Sequence, residues 1–142
     1  MAKLTNKNNF VVVVKGVILS KGKALIIKRS NTVSFGKETW EFAGGKIQFG
    51  EDLDKSLVRE IKEEVGIDIV VNKILYATTI KEPSRQLIIL TYLCNSEDNH
   101  VVLSKEHSDY KWSTKDQLKE LLPLNILKDF EKHNVFSSIE LN

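Results

Sequence analysis

The chain of 142 residues carries a formal net charge of +2, with 42% hydrophobic and 28% charged residues. This length suits one domain with one core, so we expect a single domain over residues 1–142. The near-neutral charge gives no bulk electrostatic case for binding polymeric nucleic acid or a membrane surface.

The N-terminal segment, residues 1–9, is polar and has no secretory apolar region. No apolar run in the sequence approaches the ~20 residues that a membrane span needs. The only cysteine, Cys94, cannot form an internal disulfide, which fits a reducing compartment. We therefore expect a cytoplasmic protein.

Two strands begin the predicted fold. Residues 10–19 are rich in Val and Ile, and four consecutive valines indicate a strand that is buried on both faces. A turn at residues 20–23 leads to a second strand at 24–27, which makes a hairpin. Lys28 and Arg29 end that strand. Arg29 is either a solvated strand terminus or a phosphate contact, because arginine presents a fork of donors. Its position alone favours the solvated terminus.

A glycine pair separates the hairpin from the first helix. Residues 39–42 alternate and predict a short strand, and Ala43, Gly44 and Gly45 follow it. Two adjacent glycines indicate a tight turn or a close approach of the backbone to a ligand. The two interpretations are compatible, since a carbonyl exposed by such a turn can bind a metal.

Residues 52–65 predict an amphipathic helix. Its apolar side chains recur every four residues, with Val58 beside them, and Gly66 is placed to end it. Glu51 and Asp52 are expected in the first turn, where the helix dipole favours negative charge. The stripe consists of Leu53, Leu57, Ile61 and Val65.

Three glutamates lie on one side of this helix. Glu60, Glu63 and Glu64 stand at i, i+3 and i+4, and an advance of ~100° per residue puts them beside the apolar stripe. Like charges at this spacing repel one another and need a counter-charge. Oxygen ligands of this kind suit a hard divalent cation such as Mg²⁺. The sequence therefore predicts a metal-binding rim where the helix meets the sheet.

The second half of the chain predicts further strands and two helices. Thr114 is expected to cap the first helix and Asn125 the second. The tail from Asn134 is expected to be frayed or loosely docked. The predicted strands are residues 67–79, 86–93 and a short one reaching Trp112, and the helices run to Leu122 and over 126–132.

Residues 45–67 resemble the Nudix box. Every fixed position of that pattern is filled, from Gly45 through Glu51 to the final Gly66 and Ile67. A departure is Ala43, where many members of the family have proline. The central part of the match reads Arg59-Glu60-Ile61-Lys62-Glu63-Glu64.

The resemblance implies an α/β/α sandwich with a mixed β-sheet, and hydrolysis of a nucleoside diphosphate linked to another group X. It implies that Glu60, Glu63, Glu64 and the Gly44 carbonyl bind Mg²⁺, with Mn²⁺ as the alternative. Glu51 and Arg59 would pair and hold the loop against the helix. A carboxylate that is not fully committed to metal could accept a proton from water. The candidates for that base are Glu63, Glu64 and Glu106.

The substrate is expected to be a small nucleotide. The stretch from Trp40 to Ile47 is similar to MutT-like triphosphatases, so we expect a (d)NTP, 8-oxo-dGTP included, to yield NMP and pyrophosphate. The same likeness implies that Arg29 and Asn125 contact the nucleotide, although Asn125 could equally be an N-cap. ADP-ribose, a dinucleoside polyphosphate, a pterin triphosphate or a domain that only senses nucleotides are the alternatives. A homodimer through an edge strand is left open.

Overall fold

The computed structural model describes residues 8–142, so most of the polar N-terminal segment lies outside the described residues. Seven strands and four helices form the described chain. In chain order they are β1 (Asn9–Ser20), β2 (Lys23–Arg29), β3 (Trp40–Glu41), β4 (Ala43–Lys46), α1 (Leu53–Val65), β5 (Val70–Lys81), β6 (Arg85–Asn95), β7 (His107–Ser113), α2 (Lys115–Leu121), α3 (Leu124–Lys132) and α4 (Val135–Ser138).

Strand β1 lies at the centre of one mixed sheet. It runs parallel to β6 along its whole length and antiparallel to β2 and β4. The strand order is β3-β2-β1-β6-β5, with β7 paired to β2. The run of valines therefore occupies a central strand, as its composition predicts, but only Val14 of residues 11–14 is fully buried and the other three are half-buried. The sequence does not identify the edges of the sheet; in the structure β3 and β5 are the two ends of the strand order.

Helices cover both faces of the sheet, and each face has its own apolar core. On one face α1 buries Leu57, Ile61 and Val65 against β1 and β2. On the other face Phe130 of α3 packs with Phe42 at a ring-centroid distance of 5.5 Å. These two layers of helices around a mixed sheet confirm the α/β/α sandwich.

The first helix follows its predicted pattern with two differences. Gly66 ends it in the left-handed conformation, with φ at 75°, as predicted. Leu53 and Val58, however, are each 38% exposed, because the buried stripe of α1 is narrower than the sequence pattern. Asp52 is the N-cap residue, so Glu51 precedes the helix instead of lying in its first turn.

The glycine pair forms a strand instead of the predicted tight turn. Gly44 and Gly45 belong to β4 and pair with Lys15 and Val14 of β1. A Cβ atom at Gly44 would lie 2.0 Å from the carbonyl oxygen of Val14, so the two strands could not approach this closely with a larger residue.

The C-terminal third confirms one predicted cap and corrects another. Thr114 caps α2 with a full capping box, as predicted. Asn125 is not an N-cap, since α3 begins at Leu124, two residues earlier than predicted, and its N-cap is Pro123. The tail is not frayed, because Val135 and Ile139 are buried and the amide of Asn142 donates to the carbonyl of Gly22. None of the helices found in residues 8–142 has the length and apolar composition that a membrane span requires.

Candidate active site

An arginine joins α1 to the loop that precedes it. Arg59 Nε donates to Glu51 Oε2 at 2.6 Å, and Arg59 Nη2 donates to Glu51 Oε1 at 2.9 Å. The hydrogen bonds from Arg59 and from the Gln48 amide lower the pKa of Glu51 to about 2. The same pairing raises the pKa of Arg59 above its usual value. The pair expected between Glu51 and Arg59 is therefore formed, and it is bidentate.

The same guanidinium also reaches two of the three helix glutamates. Arg59 Nη1 lies 3.0 Å from Glu60 Oε1 and 3.1 Å from Glu63 Oε2. The side chain of Glu60 is 18% exposed and that of Glu63 is 60% exposed, so Glu60 lies deeper at the rim. A Cβ atom at Gly45 would come within 2.2 Å of Glu60 Oε2. Glycine at position 45 thus leaves the space that the Glu60 carboxylate occupies.

The third glutamate lies against the glycine strand. The amide of Gly44 donates to Glu64 Oε1 at 2.9 Å. Burial raises the pKa of Glu64, although nearby Lys15 and the Gly44 hydrogen bond act in the opposite direction. A carboxylate taken out of water in this way is stabilised by a cation.

These side chains fit a hard divalent cation. Glu60, Glu63 and Glu64 offer only oxygen ligands, and the Glu64 carboxylate is partly desolvated. Among residues 8–142, no three His, Cys, Asp or Glu side chains lie close enough together to form a metal-binding group. Arg59 is hydrogen-bonded to Glu60 and Glu63, so a cation would have to compete with the guanidinium for these oxygens.

Sequence reasoning missed a buried charge cluster beside this rim. Glu41 Oε1 accepts from Lys15 Nζ at 3.4 Å, and Glu41 Oε2 accepts from Arg29 Nη1 at 3.2 Å and lies 2.8 Å from His107 Nε2. Burial raises the pKa of Glu41, but Lys15, the His107 hydrogen bond and Arg29 together lower it to about 2. A charged residue between the aromatics Trp40 and Phe42 is the sequence signal that could have indicated it.

The cluster explains where Arg29 lies. Its side chain is 26% exposed, so it is not the solvated strand terminus that position alone favoured. Arg29 Nε donates to the Phe35 carbonyl at 2.8 Å, which ties the β2–β3 loop to Glu41. Glu106 lines a cavity of about 410 Å³ beside Arg29 and Phe35. In the described chain its carboxylate makes no hydrogen bond or ion pair with the α1 glutamates.

Asn125 lies at a second, smaller cavity on the α3 side of the sheet. This cavity has a volume of about 170 Å³. Because Asn125 is in the first turn of α3 and not at its cap, its amide is free to face the cavity with Asp129. The remaining lining residues come mainly from the sheet: Lys15, Glu41, Phe42, Tyr76, Thr78, Ile80, Ile89 and Thr91, with Ile126 from α3.

The comparison with protein families identifies the family of this chain. The model described as the NUDIX domain matches residues 9–132. The chain belongs to the Nudix family. As a member of it, this protein is a Nudix hydrolase, and the matched range contains residues 45–67, which resemble the Nudix box.

Curated relatives of this Nudix hydrolase are named for nucleotide hydrolysis. The 8-oxo-dGTP diphosphatase of Buchnera aphidicola subsp. Schizaphis graminum is 34% identical over 107 residues, which cover 75% of this chain and 79% of the relative. The CTP pyrophosphohydrolase of Escherichia coli K12 is 33% identical over 108 residues, covering 75% and 78%. The two names differ in the base of the substrate.

A solved Nudix structure has the same architecture. The MutT protein from Methanosarcina mazei Go1 is 25% identical and superposes with a TM-score of 0.80, covering 92% of this chain and 96% of the other. The arrangement of sheet and helices described above is therefore that of a MutT-like Nudix hydrolase.

Proposed function

We propose that this Nudix hydrolase is a Mg²⁺-dependent pyrophosphohydrolase that converts a (d)NTP to NMP and pyrophosphate. The observation that carries the proposal is the position of Lys15 and Glu41. They line the cavity beside Asn125. The positive charge of Lys15 also acts to lower the pKa of Glu64, which with Glu60 and Glu63 forms the carboxylate rim. A base in the cavity would therefore direct its phosphates towards the rim. The names of the curated relatives agree with this substrate class.

The rim residues would hold the cation, and the cation would in turn bind the phosphates. Glu60, Glu63 and Glu64, with the carbonyl of Gly44, are the proposed Mg²⁺ ligands, with Mn²⁺ as the alternative. A bound cation neutralises the anionic bridge and lowers the pKa of coordinated water. The pair of Glu51 and Arg59 would hold the loop and the helix in register, so that these oxygens keep their positions.

A general base is also needed, and three carboxylates compete for that role. Glu64 is the most buried of them, Glu63 is 60% exposed and Glu106 is exposed beside Arg29. Changing each to Gln in turn tests them. Loss of the base removes a pH-dependent step, typically worth 10²–10⁴-fold, whereas loss of a metal ligand shifts the Mg²⁺ requirement.

The nucleoside would occupy the small cavity. Its volume of about 170 Å³ is below the ~300–1,000 Å³ of pockets that enclose a whole ligand, so it suits one ring system. Asn125 would read the base with its amide. Arg29 would contact the nucleotide through Nη2, which has no hydrogen-bond partner within residues 8–142. These two roles are the proposed substrate contacts.

The experiment is a pyrophosphate-release assay with Mg²⁺ over a panel of nucleotides. Release from a triphosphate supports the proposal, and AMP with ribose phosphate from ADP-ribose supports the second candidate substrate. Tight binding of nucleotides with no turnover indicates a sensing domain. Glu64→Gln should abolish turnover, and Glu120→Gln, an exposed helix glutamate, should not. Unchanged turnover in Glu64→Gln would show that the metal assignment is wrong.

We also propose that residues 1–142 form one domain and that the protein is located in the cytoplasm. The buried, unpaired Cys94 fits a reducing compartment.

A further inference from the structure

Lys15 is a charged residue in a strand that is otherwise uncharged. The neighbouring Val14 and Val17 on β1 are fully buried, and the side chain of Lys15 is only 23% exposed. Placing an ammonium group in such surroundings costs free energy unless it is paired. A central strand does not need a lysine for its stability, so the residue requires another explanation.

The ammonium of Lys15 is held in place but not saturated. Lys15 Nζ donates to Glu41 Oε1 at 3.4 Å and to the carbonyl of Phe42 at 3.2 Å. An ammonium group has three donors. The third has no partner within residues 8–142, and Lys15 lines the cavity beside Asn125. One donor is thus available to a molecule in that cavity.

Glu41 makes Lys15 a fixed donor. The other oxygen of Glu41 is already shared by Arg29 and His107, which anchor the carboxylate from two other strands. The low pKa of Glu41 keeps it anionic at neutral pH. The stem of Lys15 is therefore restrained at its charged end, which lowers the entropic cost of making a further hydrogen bond.

The lining of the cavity that Lys15 faces is mixed. Its apolar part includes Phe42, Tyr76, Ile80 and Ile89, its acidic residues are Glu41 and Asp129, and Lys15 is the only cation among its lining residues in the described chain. An ammonium group donates hydrogen bonds and cannot accept them. A carbonyl oxygen on the base would accept the third hydrogen bond, but an amino group in the same place would leave donors facing donors in a desolvated site.

We propose that Lys15 is a specificity-determining residue that selects nucleobases with a carbonyl oxygen, rather than an exocyclic amino group, at the edge that faces it. The proposal rests on the proposed function, because it places the base of a nucleotide in this cavity. It names the preferred substrates as the 6-oxopurine and 4-oxopyrimidine nucleotides. An amino base lacks the hydrogen bond to the charged ammonium group. This loss makes its kcat/KM lower than that of the matching oxo base by roughly 10- to 100-fold.

Two matched substrate pairs test the proposal. Inosine and adenosine triphosphates differ at the 6-position, and uridine and cytidine triphosphates differ at the 4-position. With wild-type protein, kcat/KM should be higher for the oxo member of each pair. In Lys15→Met the ratio of kcat/KM for the oxo substrate to that for the amino substrate should fall by roughly 10- to 100-fold, because kcat/KM for the oxo substrate falls. In Lys15→Gln it should approach one, since an amide can both donate and accept.

Controls separate this role from two simpler ones. Lys23→Met, at the exposed start of β2, should leave all four values unchanged. If Lys15→Met lowers kcat/KM equally for all four substrates, Lys15 acts on the phosphates and the proposal is overturned. Melting temperatures identify a variant that is merely unfolded. Lys15→Gln can keep the hydrogen bond to Glu41 and serves as the folded variant.

Failure of the proposed function would be recognised separately. If the wild-type protein hydrolyses none of the four triphosphates, the triphosphatase proposal is wrong. Calorimetric binding of the inosine and adenosine monophosphates to wild type and Lys15→Gln then decides the role of Lys15. Preference of the wild type for the oxo base, lost in the variant, supports it. Equal binding, or no binding of either, overturns it.

Discussion

The space at Gly45 offers the sharpest test of the carboxylate rim. In Gly45→Ala the new Cβ would lie 2.2 Å from Glu60 Oε2, whereas ordinary contact begins at 3.4 Å. Glu60 must therefore move by about 1.2 Å. Because Gly45 has no positive φ, alanine strains no backbone there. The carboxylate is at the end of a flexible side chain, so folding should survive while the position of the oxygen does not.

A displacement of ~1 Å at a reacting site can lower the rate by about 100-fold. We expect Gly45→Ala to lose about that factor in kcat/KM and to need more Mg²⁺, with little change in melting temperature. The assay is pyrophosphate release over a Mg²⁺ titration. Gly16→Ala is the matched control, since its Cβ would meet Cys94 Sγ at 3.4 Å, an ordinary contact. Wild-type turnover and an unchanged Mg²⁺ requirement in Gly45→Ala would refute the role given to Glu60.

Three further predictions concern stability. Phe130→Ala removes a fully buried ring stacked on Phe42 and should lower the free energy of unfolding by about 3–5 kcal/mol. Thr114→Ala removes the cap of α2 and should lower it by about 1 kcal/mol. Urea unfolding measures both changes. Folding lowers the pKa of Glu41 from 4.5 to about 2. Its ionised form therefore contributes up to about 3 kcal/mol to the free energy of unfolding above pH 4.5, and this contribution is lost as the pH falls towards 2. Melting curves of Glu41→Gln should therefore depend less on pH over that range, and an identical pH dependence would contradict the assignment. Burial raises the pKa of Glu64, so its charged form lowers the stability of the folded protein at pH 7. Glu64→Gln should therefore melt no lower than wild type in metal-free buffer. A lower melting temperature for the variant would contradict this.

The helix that carries Glu60, Glu63 and Glu64 could be predicted from sequence because its geometry is local. Glu60 and Glu64 are one helical turn apart, so the helix alone fixes their common side. Arg59 is within reach of Glu51 and Glu63 through one short loop and one turn of α1. The capping box at Thr114 is equally local. Interactions between residues close in sequence leave their pattern in the sequence itself.

The cluster around Glu41 could not be predicted in this way. Its partners Lys15, Arg29 and His107 come from β1, β2 and β7, and the register between strands brings them together. The orientation of Asn125 likewise depends on where α3 begins against the sheet. The sequence by itself determined the carboxylates of α1 and the helix that presents them. Only the tertiary structure decided which residues surround the neighbouring cavity, because strand pairing joins residues far apart in the chain and its register is set by the packing of the whole sheet.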